Sequence, residues 1–275
     1  NLLYAFLVFY LLLVTFWIDT HQNILILPFK LFLEWFSHDF TWVGYPYILV
    51  NGNYYLYEDI PKSYLFINLI LRSPEYSLLL YALFPVIIFG SIAFYKKKFS
   101  FFKYKLALIL SMIIFPFCLL YFTPFSIYDG LRHVLWILPY ICIIPALVIY
   151  YLFENIKNLK ERITLSFTSL LIIYFLFNFF LTTPYQYTYL NTFNGEIKYR
   201  YKKFENDYWG ASLKELIGKI DFDKKSKVKF ATCGINQNNA KIYLKKNGFT
   251  KIRFGNELNS TYMIMTNRVT LKKGN

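Results

Sequence analysis

SLLLYALFPVIIFGSIAFY (Ser77–Tyr95) is followed at once by KKKFSFFKYK (Lys96–Lys105) and then by LALILSMIIFPFCLLYF (Leu106–Phe122). A helix crossing a bilayer needs roughly 20 mostly apolar residues. Both apolar blocks approach that length without a charged side chain, and the block between them carries five lysines. Two apolar helices joined by a short basic turn form a membrane hairpin. Working outward, three more runs of the same kind occur at Leu2–Ile18, His133–Leu152 and Ile163–Leu181. Five such runs do not arise in the core of a soluble domain, so the sequence predicts a mainly α, polytopic membrane helix bundle.

Composition agrees once it is read by residue type. Of 275 residues 56% are hydrophobic and 22% aromatic, while mean hydropathy is only +0.35 because the 26 tyrosines score as polar. The net charge of +14 comes mostly from lysine in a chain also rich in Ile, Asn, Phe and Tyr, a bias typical of A/T-rich coding sequence. No basic stripe has nucleic-acid motif spacing, so nucleic acid is excluded as a partner. Cys118, Cys142 and Cys233 show neither metal-ligand spacing nor a disulfide framework. His21 and His38 are too isolated to read as metal ligands. The chain opens on Asn1 within an apolar run and stops at Lys272-Lys273-Gly274-Asn275, which reads as a fragment cut at both ends.

Basic residues in short loops face the cytoplasm. Lys96–Lys105 and Glu154–Arg162, the latter with Lys157, Lys160 and Arg162, therefore point inward. Alternation puts 19–76, Thr123–Arg132 and everything after Thr182 on the extracytoplasmic side. The division expected is a transmembrane domain over 1–183 with its outer loop at 19–76, an aromatic interfacial collar over 184–212, and a small extracytoplasmic α/β domain over 213–275.

The outer loop has internal structure of its own. In His21–His38 the polar residues Lys30, Glu34 and Ser37 share one helical face, the pattern of a helix lying in the interface plane and bent at Pro28. Asn51-Gly52, flanked by β-branched and aromatic residues, predicts a hairpin turn. Lys62–Arg72 is apolar but too short to span and reads as an interfacial or re-entrant piece ended by Ser73-Pro74. In the tail, Ser212 and Glu215 form a capping box opening a helix to about Ile220. Strands are expected at Lys227–Thr232, Lys251–Phe254 and Tyr262–Thr266, with a helix at Asn239–Lys246 stopped by Asn247-Gly248.

Candidate chemistry gathers at the outer edge. Asp129 is placed to cap the helix entering at His133, with Arg132 and His133 in its first turn, next to Tyr128. A helix N-terminus and a guanidinium both suit phosphate oxygens; the plainer reading is a cap with two snorkelling side chains. Arg72 is a second cation at the same depth, where snorkelling is favoured. Glu205 and Asp207 stand beside the rings of Tyr208 and Trp209 in FENDYWG, carboxylates and rings suited to sugar hydroxyls or to orienting the tail. Asn178 is expected to bond between helices.

GYPYILVNGNYY (44–55), IPKSY (60–64), LRSP (71–74), YDGLRHVLWILP (128–139), PYQYTYLNTF (184–193) and FENDYWGASLKE (204–215) follow one another in an order similar to the C-terminal half of bacterial glycosyltransferase family 39. These enzymes are relatives of the dolichyl-phosphate-mannose–protein mannosyltransferases and of the lipid A aminoarabinose transferase. The resemblance implies a GT-C type membrane enzyme in the bacterial inner membrane. Such an enzyme moves a sugar from a polyprenyl-phosphate donor to a protein or glycolipid acceptor, among membrane lipids. On that pattern Arg132, His133 and Arg72 suit the donor phosphate, and Tyr187 and Asn191 join Tyr128, Asp129, Glu205, Asp207, Tyr208 and Trp209 as supporting or acceptor-side candidates. The family's catalytic acid lies in a first outer loop upstream of these residues, so none of Asp19, Asp39 or Asp129 takes the base role. No cofactor follows, and a divalent metal stays open. The rival reading is a transporter or flippase of lipid-linked sugars, which would favour internal repeats and helices broken at mid-membrane; no repeat is found.

Overall fold

The computed structural model describes residues 2–37, 47–123, 127–207, 210–220 and 227–267. The described residues are mostly helical and include four apolar helices long enough to cross a membrane and two small sheets. The first helix, α1 (Leu2–Phe16), has 15 residues and gives way to a 3-10 turn at Ile18–Gln22, so it falls short of the expected Leu2–Ile18 span. Helix α2 (Leu27–Ser37) follows. Pro28 lies in its first turn, where a missing N–H costs nothing, so it starts the helix instead of bending it. The Glu34 and Ser37 side chains that were to complete a polar face lie outside the described residues, as do His38 and Asp39.

Strands β1 (Tyr47–Val50) and β2 (Asn53–Leu56) pair antiparallel around Asn51 (φ 46°) and Gly52 (φ 92°). Two positive φ values in succession are what a two-residue hairpin requires, and Asn-Gly tolerates them. Helix α3 (Tyr64–Arg72), in the stretch read as an interfacial or re-entrant piece, is too short to span, as expected. Tyr64, Leu65 and Asn68 are buried, and the first two pack into a core with Ile48, Val50, Leu120, Ile127, Val134, Ile137, Leu190 and Phe204.

The bundle proper is α4 (Glu75–Lys98), α5 (Phe102–Phe122), α6 (Leu138–Glu154, lengthened by a 3-10 stretch from Arg132) and α7 (Leu159–Leu181). Helix α6 touches the other three. Prolines 85, 116 and 145 sit inside α4, α5 and α6, and α4 departs from helical geometry at Ser91 (φ −133°, ψ 27°) just after Gly90. Large side chains such as Phe89 (82% exposed) and Phe180 (70%) point away from the bundle. Apolar surface on this scale is untenable in water and is what hydrocarbon solvates. Asn178 bonds back to the Tyr174 carbonyl of its own helix (2.9 Å), not across helices, because its side chain lies on an exposed face.

Both lysine-rich turns lie at one end of the bundle, where Lys98 of α4 reaches Glu154 of α6 (2.7 Å). The pair is exposed on both sides, so solvent screening leaves it little weight in stability. Beneath it Tyr95 is fully buried, donates its hydroxyl to the Leu147 carbonyl (2.9 Å) and stacks on Phe102.

At the opposite end the segment after α7 wraps over the helix termini in a series of 3-10 turns. Helix α3 stops at Arg72 with its last carbonyls turned into protein, and a buried carbonyl needs a donor. Asn191 supplies both amide hydrogens, to Ile70 O (2.6 Å) and Ser73 O (2.8 Å), and its backbone N–H reaches Leu71 O (3.1 Å). Asn194 adds a bond to Leu71 O (2.9 Å). Glu75, the first residue of α4, accepts from Tyr189 Oη (2.9 Å) and Thr192 N (2.8 Å). The segment then closes on the hairpin through Gly52 N to Lys203 O (3.1 Å) and a bridge between Val50 and Phe204.

The tail is a small α/β unit. Helix α8 (Leu213–Gly218) precedes β3 (Val228–Cys233), α9 (Gln237–Lys246), β4 (Ile252–Phe254) and β5 (Tyr262–Met265), with strand order β4-β3-β5 and both pairings parallel. The expected strands and the second helix are present to within two residues. The Ser212 capping box is not: Ser212 makes no side-chain cap, and Glu215 turns instead to Tyr185 Oη (2.8 Å) and Lys219 (2.6 Å). Helix α8 ends at Gly218, short of Ile220.

Asn191→Ala removes two donors from buried carbonyls and is expected to cost about 2–4 kcal/mol. In trypsin digestion of the membrane-embedded protein, cleavage after Arg200, Lys202 and Lys203 should accelerate by more than tenfold while helix content is unchanged. Wild-type cleavage rates would show that the collar is held by other contacts.

Candidate functional site

The polar groups at this end converge on α3 and on the loop between α5 and α6. Asn68, wholly buried, donates to Tyr64 O (2.9 Å) and receives Arg72 Nε on its Oδ1 (3.0 Å). The same guanidinium contacts the Tyr187 carbonyl (3.5 Å) and lies 5.6 Å from the centre of the Phe204 ring. Arg72 is thus oriented by an amide, a carbonyl and a ring, and is not the loosely snorkelling side chain that the sequence favours.

The loop meets this cluster at Gly130. Asp129 (φ 55°) and Gly130 (φ 68°) are both left-handed, and the Gly130 N–H donates to Tyr64 Oη (2.8 Å). A Cβ at Gly130 would stand 3.4 Å from Arg72 Nε. Asp129 does not cap the following helix. Its buried carboxylate pairs with Arg132 Nη1 (3.0 Å), and residues 132–137 form a 3-10 stretch broken at Val134 (φ −126°). The left-handed backbone points the carboxylate along the loop, so the expected N-cap geometry with Arg132 and His133 in an α-helical first turn is replaced by this tighter arrangement. Arg132 remains partly exposed beyond the pair. His133 packs its ring edge against Tyr128 (4.6 Å), which in turn meets Tyr57 (5.8 Å). His133 Nε2 is buried and finds no hydrogen-bond partner among the described residues.

Burial pushes the Tyr64 phenol well up, the nearby Gly130 N–H and Arg72 opposing and Glu205 and Asp129 reinforcing. Tyr64 is therefore a neutral acceptor and donor at any physiological pH. Glu205 is buried and helps raise the Tyr54 phenol too, after the larger effect of burial. It faces inward and not onto an open outer surface. Asp207 accepts from Tyr187 Oη, Ala211 N (2.9 Å), Ser212 N (3.1 Å) and Ser212 Oγ. Burial works to raise this carboxyl, but those donors outweigh it and hold it below the usual range.

The predicted residues therefore divide. Arg72, Tyr128, Asp129, Arg132 and His133 come together on α3 and the adjoining loop, with Tyr187 contributing its carbonyl. Asn191 holds helix ends with both of its donors, and Asp207 ties the collar to α8. Tyr208 and Trp209 lie outside the described residues. Sequence reasoning missed Tyr64, Asn68, Glu75 and Asn194. Only Asn68 carried a signal, as a polar residue inside the apolar run YLFINLILR. Among the described residues no group of three or more His, Cys, Asp or Glu is placed to hold a metal.

No family model, curated protein or solved structure matches this chain.

Gly130→Ala forces a side chain into a left-handed backbone and is expected to cost about 1–2 kcal/mol, lowering the thermal midpoint by several degrees. Gly90→Ala, with nothing within 4 Å of the added carbon, should leave the midpoint unchanged or slightly raised; equal effects of the two would remove the strain argument. The depressed Asp207 carboxyl stabilises the fold above its ordinary value of 3.8, and that contribution disappears as pH falls through the lower folded value. Acid titration followed by proteolysis at the collar should show a transition below about pH 4 that Asp207→Asn removes. An identical transition in the variant would assign it to another group.

Proposed function

We propose that this chain forms the C-terminal part of an integral membrane glycosyltransferase of the GT-C type, using a sugar linked to polyprenyl phosphate. The observation that carries the reading is the loop cluster, where Arg72 is oriented by Asn68 and Tyr187 and abuts Gly130, two residues from the partly exposed Arg132. Two guanidinium groups at helix ends, on the side of the bundle away from the lysine turns, suit the phosphate of a lipid carrier. The ordered series of motifs shared with family 39 gives the reaction class.

In that reaction the acceptor hydroxyl oxygen attacks the anomeric carbon of the donor sugar. The bond from that carbon to the phosphate oxygen breaks, and polyprenyl phosphate departs with the electron pair. Arg72 and Arg132 stabilise the negative charge growing on the phosphate as it departs. His133 and Tyr128 line the approach. The hydroxyl proton goes to a base that is not assigned among these residues. The collar holds Arg72 through the Tyr187 carbonyl and leads into the small α/β unit on the acceptor side. The loop cluster, collar and small unit face the extracytoplasmic compartment of a bacterial inner membrane, and α1 belongs to a fifth span. The acceptor is a protein or a glycolipid.

The test uses the full-length protein in membrane vesicles with labelled polyprenyl-phosphate sugar. Arg132→Ala and Arg72→Ala should each reduce transfer by about 100-fold or more while the protein still inserts. Arg→Lys at either site should recover only part of the rate, because the planar fork is lost. Transfer at the wild-type rate in both alanine variants would sink the assignment.

A further inference from the structure

The lysine-rich end carries a second place where charge is concentrated. A cavity of about 200 Å³ opens between the end of α4 and the start of α5, lined by Lys96, Phe99, Phe101, Phe102, Lys103 and Tyr104. The ammonium groups of Lys96 and Lys103 lie within interacting range of each other, and like charges so placed repel. Among the described residues neither makes an ion pair with a carboxylate; the nearby Glu154 is taken by Lys98. Helix α5 has no acidic residue in its first turn, although Lys103 stands there against the positive end of the helix dipole. The turn itself is strained: Phe101, a bulky residue 75% exposed, is left-handed (φ 57°), and beside it Tyr104 is 77% exposed. A strained residue that presents a ring outward, beside two repelling cations, is an arrangement that folding alone does not favour.

We propose that this cavity binds the phosphodiester headgroup of an anionic glycerophospholipid in the leaflet at the lysine end. An anion between Lys96 and Lys103 turns their repulsion into two attractions. Phe101 and Tyr104 stand where the glycerol and upper acyl chains of such a lipid run, and aromatic side chains settle at that depth. A free phosphate would satisfy the lysines but leave the exposed rings without an apolar partner, so the lipid is the better occupant. Basic pockets of this kind between membrane helices hold anionic headgroups. The site is separate from the loop cluster at the other end of the bundle and does not depend on the glycosyl-transfer reading.

The full chain is purified into phosphatidylcholine nanodiscs containing a minor fraction of phosphatidylglycerol, and retained lipid is measured by native mass spectrometry. The wild type should retain phosphatidylglycerol in preference to phosphatidylcholine. The double variant Lys96→Gln/Lys103→Gln should bind it about 30-fold more weakly. Lys97→Gln/Lys105→Gln, which removes the same charge outside the cavity lining, should retain it, and Lys96→Arg/Lys103→Arg should retain it too, which separates loss of the site from loss of the fold. Equal weakening in the two glutamine doubles would reduce the effect to diffuse surface charge and overturn the proposal. So would absence of any preference over phosphatidylcholine, or displacement of the lipid by millimolar inorganic phosphate.

Discussion

A helix that ends inside protein must find donors for its last carbonyls, and in this chain α3 finds them in residues more than a hundred positions away. Asn191 and Asn194 close Ile70, Leu71 and Ser73. Everything at that end follows from this closure. It fixes where α3 stops and so where Arg72 sits, and it sets the turn into α4, whose Glu75 then receives Tyr189 and Thr192. It also holds the collar down, so that the Tyr187 carbonyl stands beside Arg72 and Phe204 joins the hairpin. The nearby end of α5 is treated similarly, with the Lys62 ammonium on Thr123 O (2.8 Å). Where water is scarce, side chains from elsewhere in the sequence take the place of solvent.

The two ends of the bundle use polar groups in different ways. At the loop end, amides and carbonyls interlock and the ionic groups are oriented: Asp129 is buried against Arg132, and Arg72 is held from three directions. At the lysine end, cations crowd one turn and the interlock beneath is aromatic, with Tyr95 between Phe102 and Phe94. The first arrangement gives fixed geometry, which recognition of a particular ligand needs. The second gives charge density near a bilayer surface, which needs no fixed geometry until something seats in the cavity.

What could be read in the sequence is what depends on neighbours in sequence. The long helices follow from the length of uncharged runs, the hairpin from Asn51-Gly52, and the strands of the small unit from short β-prone runs between breakers. The first span was overestimated because apolar composition continues through Trp17 and Ile18 after the α-helix has ended at Phe16. Local signals also failed where a distant partner competed. Ser212 and Glu215 match a capping box, yet the Asp207 carboxylate and the Tyr185 hydroxyl reach those groups instead. Asp129 looks like a helix cap until the left-handed backbone at 129–130 turns it toward Arg132. The roles of Asn191 and Asn194 had no local signature, since the carbonyls they serve belong to another segment. Of the site, the cations were legible as types; of their supports, Asn68 stood out only as a polar residue in an apolar run, and Tyr64 not at all.

The small unit's interior is built from Leu213, Ile217, Val228, Phe230, Ala240, Leu244, Phe249 and Ile264, all from one side of Ser212. The collar has no comparable independence, because its buried amides answer to carbonyls of α3. Over evolutionary time these two parts are therefore under different rules. The interior of the α/β unit can drift, or the unit can be exchanged as a cassette, as long as Glu215 keeps Tyr185 and Asn267 keeps its bonds to the Tyr201 and Phe204 carbonyls and the Tyr54 hydroxyl. A change in the turn from α3 to α4 must be matched by a change near Asn191, so those two distant stretches are expected to vary together.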